Sequence, residues 1–317
     1  MVIEAKPRNR VVTALLLLAG LPLLTVAVLR TFGYDGGGWY LTALLSLTPY
    51  LVVYGAILGA LALLLRRWWI GGVALALAVL LVVFVVPRVL PGDQPDAHGR
   101  TVRVLATNLY LGRAEPASVL QLVRDNRVDV LNLLELTPAA VAGLEKAGLF
   151  KDLPYRVLHP ANGANGSGIV SRFPLTEQNY AGDSSAKQPG AEADLGGGAK
   201  MEVIAVHPRS PDVGFDGWER ELRDLSRAIG EHGLRVLAGD FNATLDHAAL
   251  GTVLSRGYVD AAASVGDGLD PTWPNTAIPF ATLDHVLVDR RVAVRDYRAL
   301  DVAGTDHRAV YAEVQLP

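Results

Sequence analysis

The chain has 317 residues, with 29 Lys+Arg against 32 Asp+Glu and a formal net charge of -3. Half of the residues are hydrophobic, 19% are charged and the mean hydropathy is +0.28, which excludes a disordered chain and an ordinary fully soluble one. Cysteine is absent, which excludes a disulfide framework, thiolate metal sites and a cysteine nucleophile.

The apolar excess is N-terminal. From Val11 to Val86 the charged residues are Arg30, Asp35, Arg66 and Arg67, and they divide uncharged stretches at about 11–29, 39–65 and 68–87. A bilayer core about 30 Å thick needs roughly 20 helical residues, so the three stretches predict three transmembrane helices. Pro22 and Pro49 fall inside them, where prolines are tolerated. Trp39, Tyr40, Trp68 and Trp69 stand at stretch ends, where amphipathic rings favour the headgroup zone. A cleaved signal peptide accounts for the first stretch only. Lys6, Arg8 and Arg10 precede the first stretch, and Arg66 and Arg67 occupy the second loop. The positive-inside rule then predicts a multi-pass protein of a bacterial cell membrane, with a cytoplasmic N-terminus and an extracytoplasmic C-terminal part. Arg88, Arg100 and Arg103 argue mildly the other way.

The expected organisation is an anchor over 1–90, a Pro/Gly/Asp-rich linker over 91–100 and a soluble domain over 101–317. That domain holds 21 Lys+Arg against 28 Asp+Glu, without the basic footprint of a general nucleic-acid binder. β-rich runs at 102–108, 128–135, 168–172, 201–207, 235–241, 282–288 and 308–315 alternate in part with helical patterns at 115–126, 138–147 and 216–231. In the last pattern Trp218, Leu222, Leu225 and Ile229 form a core-facing stripe. The stretch 181–199 reads as a loop or hairpin tip. The fold class is α/β.

Polar residues end the apolar strands. RVLAT leads to Asn108, VDVLNLL to Glu135, MEVIAV to His207, and RVLA to Gly239-Asp240-Phe241-Asn242; TLDHVLV contains Asp284 and His285, and Gly304-Thr305-Asp306-His307 precedes the last strand. Strand ends converge on one rim in layered folds. Hard oxygen ligands hold Mg²⁺, and a carboxylate–imidazole pair does acid–base or electrostatic work. Taken singly, each residue is an ordinary turn former or cap. The ordered set is what points to a site. His98, His159, His232 and His247 are read as structural, and His285 as pointing away from its neighbour Asp284.

This order resembles the endonuclease/exonuclease/phosphatase superfamily (DNase I-like), through ATNLYLG, LNLLEL, GIVSRFPL, VIAVHP, LAGDFNAT, TLDHVLV and GTDHRAV. Three spans followed by such a domain, with FDGWERELRDLSRAI and DPTWPNTAIPFATLDHV, further resemble the actinobacterial membrane-anchored type, including teicoplanin-resistance-associated membrane proteins. The resemblance implies a four-layer α/β sandwich. It implies Glu135, Asn108 and Asp306 as metal residues for Mg²⁺, with Mn²⁺ the alternative. Asp240 matches the group that orients or deprotonates the attacking water, with His307 the other candidate base. Asn108, Asn242 and His207 match phosphate contacts, and Asp284 matches the carboxylate that orients His307. Leu134 stands where some members carry Gln, and Tyr110 where some nucleases carry an acid.

The function expected is an anchored, outward-facing, Mg²⁺-dependent phosphoesterase acting on envelope or lipid-linked phosphate esters or diphosphates. Tethering raises the effective concentration of such headgroups. An anchored extracellular nuclease is the alternative, and a non-catalytic binding or sensor protein the third reading.

Overall fold

The computed structural model describes residues 9–182, 184–228 and 233–317. Lys6, Arg8, Ile229 and His232 of the sequence reading lie outside the described residues.

Four helices come first. Helix α1 (Arg10–Phe32) starts at Asn9, whose side chain accepts from the Val11 amide, and ends at Gly33. Helices α2 (Trp39–Leu45), α3 (Thr48–Leu64) and α4 (Trp68–Val85) follow. Both α1 and α4 are long and apolar enough to cross a membrane. The predicted span 39–65 is not one helix: α2 and α3 are bent by 72° and reach that length only together. Pro49 supplies no N–H to the Leu45 carbonyl, and the Thr48 hydroxyl caps that carbonyl instead at 2.6 Å. Helices α3 and α4 pack closely because a Cβ on Gly59 would meet Leu75, and one on Gly71 would meet Leu63.

The remaining elements, in chain order, are β1 (Thr101–Asn108), α5 (Pro116–Asp125), β2 (Val130–Leu134), α6 (Pro138–Ala147), α7 (Leu149–Asp152), β3 (Tyr155–His159), β4 (Ser167–Ser171), β5 (Leu175–Gln178), β6 (Gly190–Gly196), β7 (Ala199–Val206), α8 (Pro211–Ala228), β8 (Arg235–Asp240), α9 (Ala248–Leu254), β9 (Tyr258–Asp260), α10 (Ala261–Val265), β10 (Asp284–Asp289), β11 (Ala293–Leu300) and β12 (Ala309–Gln315). Among the described residues the strands form two six-stranded sheets, β11-β12-β1-β2-β4-β3 and β5-β6-β7-β8-β10-β9. Pairing is antiparallel except for β1 with β2 and β7 with β8.

Alternation along the strands sends one set of side chains between the sheets. Val102, Val104 and Ala106 of β1 meet Met201, Val203 and Ala205 of β7 in that core. The opposite face of the first sheet buries Leu105, Leu131 and Leu133 against Val119, Val123 and Leu144 of α5 and α6. The opposite face of the second sheet buries Ile204, Val206 and Leu237 against Trp218, Leu222 and Leu225 of α8. These are the four layers of the expected sandwich. One polar pin crosses the inter-sheet core: the Asn132 amide donates to the Ile204 and Ala238 carbonyls at 2.9 and 2.8 Å.

The segment 181–199 is not simply a loop, since it contains β6. Its inward residues are Ala191, Ala193 and Leu195, so small side chains concealed the strand pattern. Short edge strands such as β3 and β9 carry little apolar signal and are likewise additions to the sequence reading. The linker is fastened rather than free: the Gly92 amide donates to the Ser264 carbonyl, the Gln94 side chain joins Ser264 to Val294, and the Gly99 amide donates to the Leu316 carbonyl.

The helical bundle and the sandwich meet through buried polar groups. Arg88 grips both carboxylate oxygens of Asp246 at 2.8 and 2.6 Å, and Arg30 lies 3.4 Å from the same carboxylate. Asp35 accepts the Ala248 and Ala249 amides at the start of α9, at 2.6 and 2.8 Å. His247 donates from Nε2 to the Thr42 carbonyl and accepts the Thr244 amide at Nδ1. This pattern requires neutral imidazole, and burial holds its pKa below the ordinary value.

Removing one partner of a buried ion pair strands the other charge, at a cost of roughly 3–5 kcal/mol. Asp246→Ala therefore lowers the thermal midpoint of the detergent-solubilised protein markedly, whereas substitution of the exposed Asp96 leaves it in place. Equal midpoints for parent and Asp246→Ala would show that the junction adds nothing to stability.

Candidate functional site

Strand register assembles the site. Asn108 and Leu134 end β1 and β2 as neighbours, which puts Glu135 beside Asn108. Asp284 and Asp240 pair across β10 and β8. Because the sheets pack face to face, the ends of β1 and β2 meet the ends of β7, β8 and β10. Gly239 has φ 156°, and a Cβ there would collide with the Val206 carbonyl, so glycine permits the close approach of β8 to β7 just before Asp240.

The Asn108 side-chain amide donates to Glu135 Oε1 at 3.0 Å and to Asp240 Oδ2 at 3.2 Å. Glu135 Oε2 accepts the Leu111 amide at 2.6 Å, and Asp240 Oδ1 accepts the Asn242 amide at 2.8 Å. Backbone strain is concentrated here: Tyr110, Leu111, Glu135 and Asn242 all have φ between 48° and 56°, a left-handed conformation that costs a non-glycine residue free energy. The surrounding hydrogen bonds hold these residues in it.

Two imidazoles face the carboxylates. His207 Nε2 lies 3.9 Å from Glu135 Oε1 and 3.8 Å from Asp240 Oδ2, and His307 Nε2 lies 3.7 Å from Asp240 Oδ2. These separations exceed hydrogen-bond length, so both Nε2 atoms remain available to an incoming oxygen. Behind His307, Nδ1 pairs with Asp284 Oδ2 at 2.9 Å. Burial alone would lower the His307 pKa. The charges of Asp284 and Asp240, the hydrogen bond to Asp284 and the nearby Asp306 outweigh burial and push it up to about 10. Burial pushes the Asp284 carboxyl up while His307 pulls it back, so the pair keeps its shared proton through the neutral range.

Glu135, His207, Asp240, Asn242 and His307 line one cavity of about 810 Å³. Asn108 and Asp284 stand behind them as supports. Asn242 uses its side-chain amide to donate to the Pro208 carbonyl at 3.2 Å, leaving one N–H. Asp306 does not line the cavity; its Oδ1 is buried and has no hydrogen-bond partner. His285 turns to the other face, pairing with Asp260 and the Ala243 carbonyl.

The donor set fits a hard divalent cation. Two adjacent carboxylates, Glu135 and Asp240, share only one neutral amide as a common donor, and the nearby Asp306 has an unsatisfied oxygen. Asp240, Asp284 and His307 also present ligand atoms within 4.8 Å of one another. In that group the imidazole and Asp284 already satisfy each other, whereas Asp240, among the described residues, accepts only from the Asn108 side chain and the Asn242 amide.

Several supports had no signal in the sequence. Gln188 accepts the His207 amide at 2.9 Å. Thr305 donates to the Asn108 carbonyl at 2.8 Å and accepts the His307 amide. Thr272 accepts the Leu283 and Asp284 amides. Trp39, Thr42 and Ala43 of α2 and its C-cap Ser46 line the same cavity, although the sequence placed them in a membrane span.

The Endonuclease/Exonuclease/phosphatase family matches residues 105–307. Among solved structures, an endonuclease/exonuclease/phosphatase from Beutenbergia cavernae DSM 12333 superposes with a TM-score of 0.57 at 18% identity, covering 68% of this chain and 72% of its own. Humanized D. rerio TDP2 gives 0.53 at 17% identity, covering 68% and 99%. A family protein from Leptotrichia buccalis C-1013-b gives 0.52 at 13%, covering 68% and 100%. At such identities the likeness is one of fold. No curated protein matches the chain.

The His307–Asp284 pair makes a testable contribution to stability. A histidine whose folded pKa is raised from 6.5 to about 10 stabilises the fold fully below the unfolded pKa and loses that contribution as pH rises through the folded one. In EDTA-treated protein the stability gap between parent and Asp284→Asn is therefore widest below about pH 6.5 and closes toward about pH 10. Urea melts across that range measure it, and a gap independent of pH would refute the pairing.

Proposed function

Since the chain belongs to the Endonuclease/Exonuclease/phosphatase family, we propose that it is a membrane-anchored, outward-facing phosphoesterase, dependent on Mg²⁺ (or Mn²⁺), that hydrolyses lipid-linked or other envelope phosphate esters or diphosphates. The observation that carries this reading is the convergence of Glu135, Asp240, His207, Asn242 and His307 on one cavity, with Asn108 and Asp284 holding them from behind.

Glu135, Asn108 and Asp306 are the residues we assign to the cation, with Asp240 adjacent. When bound, the cation neutralises charge on the phosphoryl oxygens. The protein's own groups do the rest. His307, which keeps its proton at neutral pH, donates from Nε2 to a phosphoryl oxygen, while Asp284 fixes its ring. His207 and the remaining Asn242 N–H supply further donors toward the developing negative charge. The base is then Asp240, which orients and deprotonates the attacking water; Asn242 and Asn108 hold its two oxygens in place.

The membrane reading rests on the apolar helices and on charge placement. Arg66 and Arg67 sit between α3 and α4, at the end of the bundle where Arg67 also meets Asn9 and Thr13. The arginines that argued the other way are occupied elsewhere. Arg88 is neutralised by Asp246, and Arg103 pairs with Glu313 and Asp129. Arg100 stacks on Phe173 and donates to the Leu195 carbonyl. This favours a cytoplasmic N-terminus and an extracytoplasmic sandwich.

Phosphate release from a polyprenyl diphosphate by the full-length protein tests the reading. Glu135→Ala and EDTA abolish release, Mg²⁺ restores the parent after EDTA, and His307→Ala lowers kcat by about 10²–10⁴-fold. Near-normal turnover in both variants would sink the assignment. Salt-sensitive plasmid nicking without lipid turnover would move the function to nucleic acid.

A further inference from the structure

The unexpected wall of the cavity carries an inference that rests on the phosphoesterase reading and sharpens its substrate. We propose that α2 is a substrate-binding element rather than part of a span, and that the hydrocarbon chain of an amphiphilic phosphoester lies along it while the phosphate reaches the imidazoles and carboxylates.

Three observations converge. First, the cavity is chemically mixed. Glu135, Asp240 and the two histidines cluster together, whereas Trp39, Ala43, Val213 and Phe280 contribute apolar surface to the same space. Those four are exposed, so the apolar surface is open to a ligand. A cavity of about 810 Å³ is near the top of the range for small-molecule sites and far larger than a phosphate needs.

Second, α2 is held in that position by the sandwich itself. Its Thr42 carbonyl accepts from His247, and the preceding Asp35 caps α9. His247 in turn sets its ring edge against Trp218, 5.4 Å between centroids. The carbonyl of Phe280, another cavity-lining residue, accepts the Tyr50 hydroxyl of α3 at 3.0 Å. Bundle and sandwich together therefore frame the opening.

Third, the location suits a chain coming from the bilayer. Helix α2 follows the C-terminal end of α1 and precedes the start of α3, at the end of the bundle where α4 also finishes and Arg88 joins the sandwich. At seven residues it is too short to span and is bent 72° from α3. It thus belongs in the interfacial layer, with the rings of Trp39 and the exposed Tyr40 in tilted contact, 4.0 Å between centroids, at its start. A chain leaving the membrane there passes α2 before its phosphate meets His307. Each methylene shielded on the way adds roughly fourfold to affinity.

Ala43 is exposed, so enlarging it narrows the cavity without touching the core. The experiment compares two substrates with the same diphosphate head, one with a long polyprenyl chain and one with a short, water-soluble prenyl chain, using full-length protein. The parent favours the long chain in kcat/KM. Ala43→Trp lowers the long-to-short ratio about tenfold, mainly through KM, and Trp39→Ala lowers it in the same direction. Val79→Trp, on the exposed side of α4 away from the cavity, leaves the ratio where it was. A photoreactive group in the chain of a non-hydrolysable phosphonate analogue labels residues 39–46. If the parent turns over both substrates but Ala43→Trp leaves the ratio unchanged, or the label falls only on α1 and α4, the role of α2 is refuted while the phosphoesterase reading stands. Release from neither substrate removes both.

Discussion

The amide of Asn108 joins two carboxylates that belong to different sheets. Glu135 follows β2 in its own sheet, and Asp240 ends β8 in the facing one. The other oxygen of each carboxylate is held by a backbone amide, and the strained φ values of Glu135 and Asn242 persist because those bonds over-determine them. Two negative charges this close and this buried are unfavourable unless positive charge is near. That demand organises the surrounding protein. It accounts for two imidazoles facing the carboxylates and for a proton retained on His307. The Asn132 pin between the sheets, to Ile204 and Ala238, keeps the two halves at the spacing that the Asn108 bridge requires.

Much of the sandwich was legible in the sequence because buried strands concentrate Val, Leu and Ile. β1, β2, β7, β8, β10 and β12 all fall on predicted runs. The elements missed have identifiable reasons. β6 faces inward with two alanines, and β3 and β9 are short edge pieces with exposed positions. α7 and α10 have too few turns to show a period. The polar strand-end residues were legible because each is a break in an apolar run. Gln188, Thr272 and Thr305 were not, since they act through single hydrogen bonds from irregular segments and resemble any polar loop residue.

The span 39–65 shows a different limit. Hydropathy measures transfer to an apolar surrounding, and it does not distinguish lipid from protein or from a cavity wall. Thr42 and Leu45 of α2 are buried, while Ala43 and Trp39 face the site. The 72° bend falls just before Pro49, a residue that membrane helices ordinarily accommodate. Similarly, His247 was read as structural, and its partner proved to be Thr42, 205 positions earlier in the chain, a relation that no local pattern contains.

The junction between bundle and sandwich has a consequence for modularity. Anchored enzymes are often pictured as a head on an interchangeable stalk. Here Arg30 and Arg88, the Thr42 carbonyl and Asp35 on one side complete Asp246, His247 and the first amides of α9 on the other. Grafting the head onto a foreign stalk would leave a carboxylate, an imidazole N–H and a helix start without these partners, and the imidazole lines the cavity. The two parts therefore form one cooperative unit, and a change in one must be matched in the other for either to keep its shape.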